Sequence, residues 1–168
     1  MPEEKIFIDA EDTEYKNQAH QELIRLLVFS LAKEHYCISV ASAKQVWHLG
    51  AVTRVPNAPA FIKGVTNLAG QVIPLVDISF FLGIEPINMT NELRIIVMEA
   101  GTNLVGILVN RIEEVIELDK AALQLPLVTL EQKLLEFTIG EIEFKNRILV
   151  MLDLKRILSS VEFNQAKR

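Results

Sequence analysis

The side chains that could do chemistry in this sequence are three histidines, one cysteine and a few neighbouring glutamates. His20 lies in a polar N-terminal segment, His35 beside a predicted turn, and His48 at the end of a predicted strand. Nucleophilic catalysis would require Cys37 to work with His35, two residues away. Catalytic Cys–His pairs normally come from separate elements and use a third group to orient the base. We therefore interpret Cys37 as a buried strand cysteine.

Metal, nucleotide and acid–base chemistry have no better support. The histidines show no HxH or HExxH spacing, and no acidic cluster accompanies them, so a metal site is not expected. The glycines occur singly, without the GxGxxG or GxxxxGK patterns that cradle phosphates. Glu113, Glu114 and Glu117 fit a solvated strand face better than a general acid–base pair. The sequence predicts a protein that is not an enzyme and uses no cofactor.

The composition predicts a globular cytoplasmic protein. Of 168 residues, 50% are hydrophobic and 23% are charged, which excludes a disordered chain. The net charge of −5, without a Lys/Arg cluster, argues against nucleic acid. No apolar stretch approaches the length of a membrane span, and the first residues do not resemble a signal peptide. The positive mean hydropathy indicates either a dense β core or apolar surface reserved for partners.

The elements that must position any site are mainly short strands, because apolar runs alternate with Gly, Pro, Asn and Asp. Helices are predicted at Asp77–Leu82 and Asp153–Ser160, each opened by an aspartate suited to an N-cap, and one helical turn at Asp119–Leu123. The candidate strands are Leu23–Leu31, Tyr36–Val40, Val46–Leu49, Ile62–Leu68, Gln71–Pro74, Arg94–Glu99, Leu104–Val109, Ile112–Leu118, Leu135–Ile142 and Arg147–Leu152.

An internal repeat suggests the architecture. Ile24–Leu49 aligns with Leu93–Leu118 at an offset of 69, with six identities in 26 pairs, and Val72–Leu82 aligns with Ile148–Leu158 at an offset of 76. Accidental alignment of apolar strands is the alternative, but an aspartate opens a helix at the end of both copies. The repeat predicts two similar β lobes, most simply two small barrels. The predicted organisation is a mobile or partly helical tail at 1–22, a domain at 23–160 with lobes near 23–85 and 92–160 that are open to strand exchange, and a tail at 161–168.

The segment between the two copies is stiff. Pro56 and Pro59 restrict the backbone ahead of a strand. Gly64 permits a bulge or a close approach of another backbone. Asn67 and Gly70 bracket a tight turn, in which glycine adopts positive φ at low cost. The sequence therefore predicts a pre-organised hairpin.

This segment, from Val55 through Ile78, resembles the signature of the CheW family, roughly V-x-x-x-P-x-x-I-x-G-V-x-N-L-R-G-x-x-x-P-V-x-D-L. The resemblance extends to Leu27–Leu31 with Tyr36–Ile38, and to Leu104–Asn110 with Val115, so that it spans about Leu23 to Ser160. It implies a mainly β fold of two intertwined five-stranded barrels like Src-homology-3 domains, with short helices including one near the C-terminus.

The resemblance also implies a function. Proteins of this family couple the cytoplasmic tips of methyl-accepting chemoreceptors to the regulatory domain of a CheA-type histidine kinase, in arrays at the inner face of the membrane. One barrel end would offer an apolar patch to the kinase domain, and a groove near the lobe junction would accept the receptor's helical hairpin. Core packing is the competing interpretation of each implied contact residue. The positions that match the family's contact regions are Gln45, Val46, Asn67, Leu68, Ala69, Gly70, Val105, Gly106 and Val109.

Two positions depart from the family pattern. Ala69 stands where the family usually has Arg, and Gln45 where it usually has an acidic residue. Loss of those charges predicts a specialised paralogue, serving for example pilus-driven or light-directed motility. An alternative function is that of a divergent β-barrel scaffold outside the main chemosensory array. We expect Trp47, beside Gln45, to be a core residue rather than a binding anchor.

Overall fold

The computed structural model describes residues 22–126 and 129–160, and about half of these residues lie in ten strands. The predicted tails at 1–22 and 161–168, with His20, lie outside the described residues apart from Glu22. The strands are β1 Leu23–Leu31, β2 Glu34–Ser39, β3 Gln45–His48, β4 Ile62–Leu68, β5 Gln71–Val76, β6 Arg94–Ala100, β7 Asn103–Val109, β8 Arg111–Asp119, β9 Thr138–Phe144 and β10 Arg147–Leu152. Three short α-helices, α1 Ser79–Leu82, α2 Gln132–Glu136 and α3 Leu154–Leu158, and 3-10 turns at Val40–Ser42 and Lys120–Ala122 complete the described elements.

Most predicted elements agree with the structure, with three differences. The predicted strand Tyr36–Val40 ends at Ser39, because Val40 belongs to a 3-10 turn. The predicted N-cap Asp77 was wrong, because the cap position of α1 is Ile78. The predicted strand Leu135–Ile142 was wrong at its start, because Leu135 and Glu136 belong to α2 and β9 begins only at Thr138. The apolar run at 134–137 is too short for its periodicity to distinguish a helical turn from a strand. The Thr138 hydroxyl donates to the Leu134 carbonyl at 2.6 Å and so closes the helical turn before the strand begins.

The strands form two curled five-stranded sheets that exchange strands between the two halves of the sequence. The first sheet, here called lobe A, has the order β8-β1-β2-β10-β9, and the second, lobe B, has the order β3-β6-β7-β5-β4. Each lobe takes a two-stranded hairpin from one half and three strands from the other half. The hairpin joins those strands on both sides. One pairing is antiparallel, β1 with β8 in lobe A and β6 with β3 in lobe B, and the other is parallel, β2 with β10 in lobe A and β7 with β5 in lobe B. The expected intertwined, mainly β fold is confirmed.

The internal repeat explains why the two lobes have the same order. An offset of 69 aligns β1 and β2 with β6 and β7, and an offset of 76 aligns β4 and β5 with β9 and β10, residue for residue in the second case. Substituting β1–β5 by β6–β10, and the reverse, converts the strand order of lobe A into that of lobe B. The two lobes are therefore related by the repeat, and any position in one has a counterpart in the other.

The chain after the edge strand of each lobe closes the sheet into a barrel. In lobe B, Thr53 pairs with Val65 of β4, the opposite edge of the sheet from β3; in lobe A, Gln124 pairs with Glu141 of β9. Gly64, with φ of 147°, lies against the chain at Thr53 that closes lobe B. A Cβ atom on Gly64 would lie 2.6 Å from the Thr53 carbonyl oxygen. The bulge and close approach predicted at Gly64 are both confirmed.

Strand β1 connects the two hydrophobic clusters of the molecule because both of its faces are buried. Leu26 and Val28 point into a small cluster inside lobe A. Leu27, Phe29 and Leu31 alternate with them and belong to the larger cluster, which also contains the interior of lobe B. Such continuous apolar sequence is expected of a strand that is covered on both sides. The lobes thus share one core and hold the surface hairpins in a fixed relation.

Candidate functional site

The hairpin between β4 and β5 has a rigid and exposed tip. Leu68 pairs with Gln71, which leaves Ala69 and Gly70 as a two-residue loop with φ values of 50° and 83°. Two consecutive positive φ angles match the type I′ turn, whose twist suits a hairpin. The Asn67 Oδ1 atom accepts a hydrogen bond from the Gly70 N–H at 2.9 Å. Of the four predicted contact residues here, Asn67, Ala69 and Gly70 are exposed and Leu68 packs partly against the core.

Strand β3 is a short edge strand whose four residues are all exposed. Val46 is 43% exposed and Trp47 is 39% exposed. The prediction that Trp47 is a core residue was therefore wrong; among the described strands, β3 pairs only with β6 and forms an edge of lobe B. The indole N–H of Trp47 donates to Gln45 Oε1 at 2.6 Å. Gln45 and Val46, two predicted contact residues, are both available to a partner.

The three predicted contact residues on β7 are in the interior. Val105, Gly106 and Val109 are buried, and β7 is paired on both sides, with β6 and β5. A Cβ atom on Gly106 would lie 2.6 Å from Ile95 Cγ2, so this glycine makes room for the packing of the neighbouring strand. Core packing, the competing interpretation of these positions, accounts for what the structure shows at all three. A partner cannot reach their side chains in this conformation.

Lobe A carries an ion-pair network that the sequence did not predict. Arg147 Nη1 lies 2.8 Å from Glu113 Oε2, and Arg147 Nη2 lies 3.2 Å from Glu114 Oε1. Lys145 Nζ is 3.5 Å from the other Glu114 oxygen, and His35 Nδ1 is 2.8 Å from Glu113 Oε1.

A β-bulge explains how two consecutive glutamates reach the same arginine. The pairing of β8 with β1 passes from Ile112 to Glu114 and leaves Glu113 without a partner residue. An extra residue at a bulge disrupts the alternation of side chains, so both carboxylates can turn to one side. Glu117, by contrast, is exposed, as predicted for a solvated strand face.

A cavity of about 450 Å³ lies between strands of lobe A and the segments around α1 and α2. Its walls come from β2, β9 and β10 of lobe A, from the residues that follow α1, and from α2. Tyr36 lines it, and burial, with a smaller contribution from the charge of Glu34, raises the Tyr36 pKa to about 12. The phenol therefore stays protonated at neutral pH. Apolar side chains, such as Leu82, Leu134 and Ile148, make up much of the remaining wall.

Cys37 is not placed to act as a nucleophile. Cys37 is fully buried, and burial raises its thiol pKa to about 12, so it is not a thiolate nucleophile at neutral pH. The prediction of a buried strand cysteine is confirmed. Within residues 22–126 and 129–160, no three His, Cys, Asp or Glu side chains group as metal ligands. In the same ranges, no helix has the length and apolar character needed to cross a membrane.

The two aspartates that the internal repeat aligns, Asp77 and Asp153, have structural roles. Asp153 is the N-cap of α3 and accepts the Arg156 N–H at 3.0 Å. Asp77 lies one residue before the cap position of α1, and its two carboxylate oxygens accept the N–H groups of Ser79 and Ile87, each at 3.0 Å. Asp77 therefore ties the loop after α1 to the end of β5.

Comparison with known proteins gives one consistent result. The family model described as "CheW-like domain" matches residues 25–162. The chain is 29% identical to the chemotaxis protein CheW of Klebsiella aerogenes over 81% of this chain and 82% of the relative. It is 30% identical to CheW of Bacillus subtilis over 80% and 86% of the two chains. The crystal structure of the scaffolding protein TtCheW from Thermoanaerobacter tengcongensis superposes with a TM-score of 0.72 and 28% identity, and the match covers 86% of this chain and 92% of that one.

Proposed function

The chain belongs to the CheW-like domain family, and on that premise we propose that it is a non-enzymatic adaptor that couples chemoreceptor cytoplasmic tips to the regulatory domain of a CheA-type histidine kinase. The observation that carries the proposal is the exposed, pre-organised β4–β5 hairpin together with the exposed edge strand β3, both mounted on lobes that share one core. This arrangement presents a fixed shape to other proteins. We place the protein in the cytoplasm, where both partners expose these domains.

Coupling of this kind depends on geometry and not on a reaction. A protein that binds both a receptor and a kinase can transmit a change in the receptor only if its own two contact surfaces keep their relative position. The strand exchange between the lobes and the core that they share provide that rigidity. A conformational change of the receptor then changes the fraction of kinase that is active. The size of this change is set by how much more tightly the receptor–adaptor assembly binds the active kinase than the inactive kinase.

We assign the two contacts to different parts of the molecule. The kinase domain, itself a CheW-like barrel pair, would dock on lobe B at β3 and the β4–β5 hairpin, where Val46 is exposed beside Gln45. The receptor's helical hairpin would bind at the cavity between lobe A and the segments around α1 and α2, with its apolar face towards Leu134 and Ile148, as in the helix-in-groove mode.

A binding experiment with matched variants tests the kinase contact. Val46→Asp should abolish capture of the kinase regulatory domain, because it places a charge in an apolar contact. Val115 occupies the equivalent position of lobe A and is also exposed, so Val115→Asp is a control with the same chemical change. Calorimetry of both variants with the isolated kinase domain should show loss of binding for the first alone. Equal effects of the two, or none, would contradict this assignment.

A second experiment tests the function itself. Membranes that contain a chemoreceptor and the kinase from the same cell should show higher kinase autophosphorylation when this protein is added. The increase should disappear on addition of the receptor's attractant. A chain that binds neither the kinase domain nor the receptor would fit the alternative of a scaffold outside the chemosensory array.

A further inference from the structure

A pocket of about 670 Å³, here called the arginine pocket, opens where the end of β3, the start of β6 and the start of β8 meet. All of its described lining residues are polar or charged, in contrast to the largely apolar cavity beside α1 and α2. They are His48, Asn91, Glu92, Arg94, Asn110 and Arg111. The arginine pocket therefore suits a polar ligand.

The strand register assembles the arginine pocket from distant parts of the sequence. His48 of β3 pairs with Arg94 of β6, which pairs on its other side with Val109 of β7. Asn110 and Arg111 follow Val109 directly, where the chain passes from lobe B to lobe A. Because paired strands lie about 5 Å apart, these residues form one row across neighbouring strands. The fold thus gathers basic side chains that form no Lys/Arg cluster in the sequence.

The charges of Arg94 and Arg111 are not neutralised within the described structure. None of the ion pairs among residues 22–126 and 129–160 includes either side chain. Arg94 Nη1 donates to the Glu92 carbonyl oxygen at 2.6 Å, and this neutral acceptor holds the guanidinium without cancelling its charge. Arg111 is exposed, and Glu92 is the only acid among the described residues that line the pocket. The arginine pocket therefore keeps a positive charge that an anion can neutralise.

A smaller pocket of about 270 Å³, here called the lysine pocket, adjoins the arginine pocket and shares Asn91 with it. Arg54 and Lys63 line the lysine pocket, and none of the described residues that line it is acidic. Lys63 Nζ lies 4.0 Å from Asp77, but both Asp77 carboxylate oxygens already accept main-chain N–H groups. Four cationic side chains therefore lie in the two pockets that meet at Asn91, in a chain whose net charge is −5.

We propose that the two pockets together form a binding site for an acidic segment of a protein partner. One carboxylate of the segment lies against Arg94 and Arg111, whose planar guanidinium groups suit paired hydrogen bonds to a carboxylate. A second carboxylate lies against Arg54 and Lys63. A protein segment suits the site better than a nucleotide, because His48 is the only ring among the described lining residues on which a base could stack. The inference goes beyond the proposed function, since neither the kinase contact nor the receptor contact assigned above includes these four cationic side chains.

A labelled hexaglutamate peptide, titrated with the full chain at low ionic strength and followed by fluorescence anisotropy, tests the site. We expect the double variant Arg94→Gln, Arg111→Gln to bind the peptide at least about tenfold more weakly than wild type, because it removes both guanidinium groups. The matched control Arg25→Gln, Arg156→Gln removes the same charge from exposed positions on β1 and α3. It should change the affinity by no more than about twofold, because exposed charges far from the site are screened.

Two further variants complete the experiment. Arg54→Gln with Lys63→Gln should weaken peptide binding at least about threefold, because it removes the charges of the lysine pocket. Arg111→Glu should weaken it at least about tenfold and keeps the test valid if substitution of the partly buried Arg94 lowers stability, because Arg111 is exposed. Urea midpoints of all variants verify that the fold is intact.

The inference is overturned by a wild-type chain that does not bind hexaglutamate, or by a control variant that loses as much affinity as the Arg94, Arg111 variant. Inorganic phosphate is the second probe. If phosphate displaces the peptide at a concentration equal to that of the peptide's glutamate groups, the site takes a free small anion and the acidic-segment assignment is wrong. All of these outcomes leave the adaptor function standing, because binding of the kinase domain by the wild-type chain is measured separately.

Discussion

Replacement of Asp77 by alanine tests how much this buried carboxylate, which ties the loop after α1 to the end of β5, contributes to the free energy of unfolding. The Asp77 side chain is almost completely buried, at 2% exposure, and accepts two backbone N–H groups, from Ser79 and Ile87. Alanine would leave both donors buried without an acceptor, at about 1–2 kcal/mol each, so we expect a loss of about 2–4 kcal/mol in the free energy of unfolding. Lys63 Nζ, 4.0 Å from the carboxylate, adds little because it is partly exposed.

The internal repeat provides the control. Asp153 occupies the equivalent position and accepts one N–H group, that of Arg156, at an exposed helix start. Asp153→Ala should therefore cost only about 1 kcal/mol, the usual value of an N-cap. Urea unfolding measures the loss of stability in both variants, and we expect their m-values to equal that of wild type. Thermal midpoints should fall by about 2–4 °C for each kcal/mol lost. If Asp77→Ala costs no more than Asp153→Ala, burial is not what distinguishes the two aspartates and the reasoning fails.

Three further predictions concern two backbone positions, Gly64 and Ala69, and the two buried side chains Tyr36 and Cys37, which lose their protons at high pH. Gly64→Ala should cost about 3 kcal/mol or more in urea unfolding, because φ of 147° and the Thr53 carbonyl at 2.6 Å both exclude a Cβ atom, and a cost below about 1 kcal/mol would contradict this. Ala69→Gly should stabilise by about 0.5 kcal/mol, because it removes the strain at φ of 50°, and a destabilised variant would argue against the positive φ. The pKa values of Tyr36 and Cys37 are raised from 10.0 and 9.0 to about 12, so the unfolded chain loses these protons first as the pH rises, and stability should fall between about pH 9 and 12. The double variant Tyr36→Phe, Cys37→Ser should flatten that part of the pH profile.

Much of the fold is encoded locally and could be predicted. The bounds of β1, β4 and β10 follow from runs of β-branched and apolar residues ended by turn residues. The β4–β5 turn follows from its asparagine and glycine, because few residues tolerate positive φ. The α2 segment was not predictable in the same way, because five residues contain too few turns to establish a period.

The contact residues could be predicted only in part, since exposure depends on the neighbours of a strand. The strand of Val46 and Trp47 and that of Val105 and Val109 both look apolar in sequence. The first lies at a sheet edge and its residues are exposed, whereas the second lies between two paired strands and packs in the core. An edge position does not by itself expose a strand, because Glu141 and Ile142 of the edge strand β9 are buried. The ion-pair network of Arg147 could not be predicted from the sequence either, because it depends on a β-bulge at Glu113.

The amino-acid order alone determined that this is a two-copy β protein with a helix capped by Asp153 and a stiff central hairpin, since each of these features depends on residues close together in the chain or on the repeat. Only the tertiary structure decided which strands share a lobe, which edge remains open, and that Glu113 and Glu114 both reach Arg147. Those outcomes depend on contacts between distant parts of the chain, such as the pairing of Leu27 with Val115, that no local sequence pattern specifies.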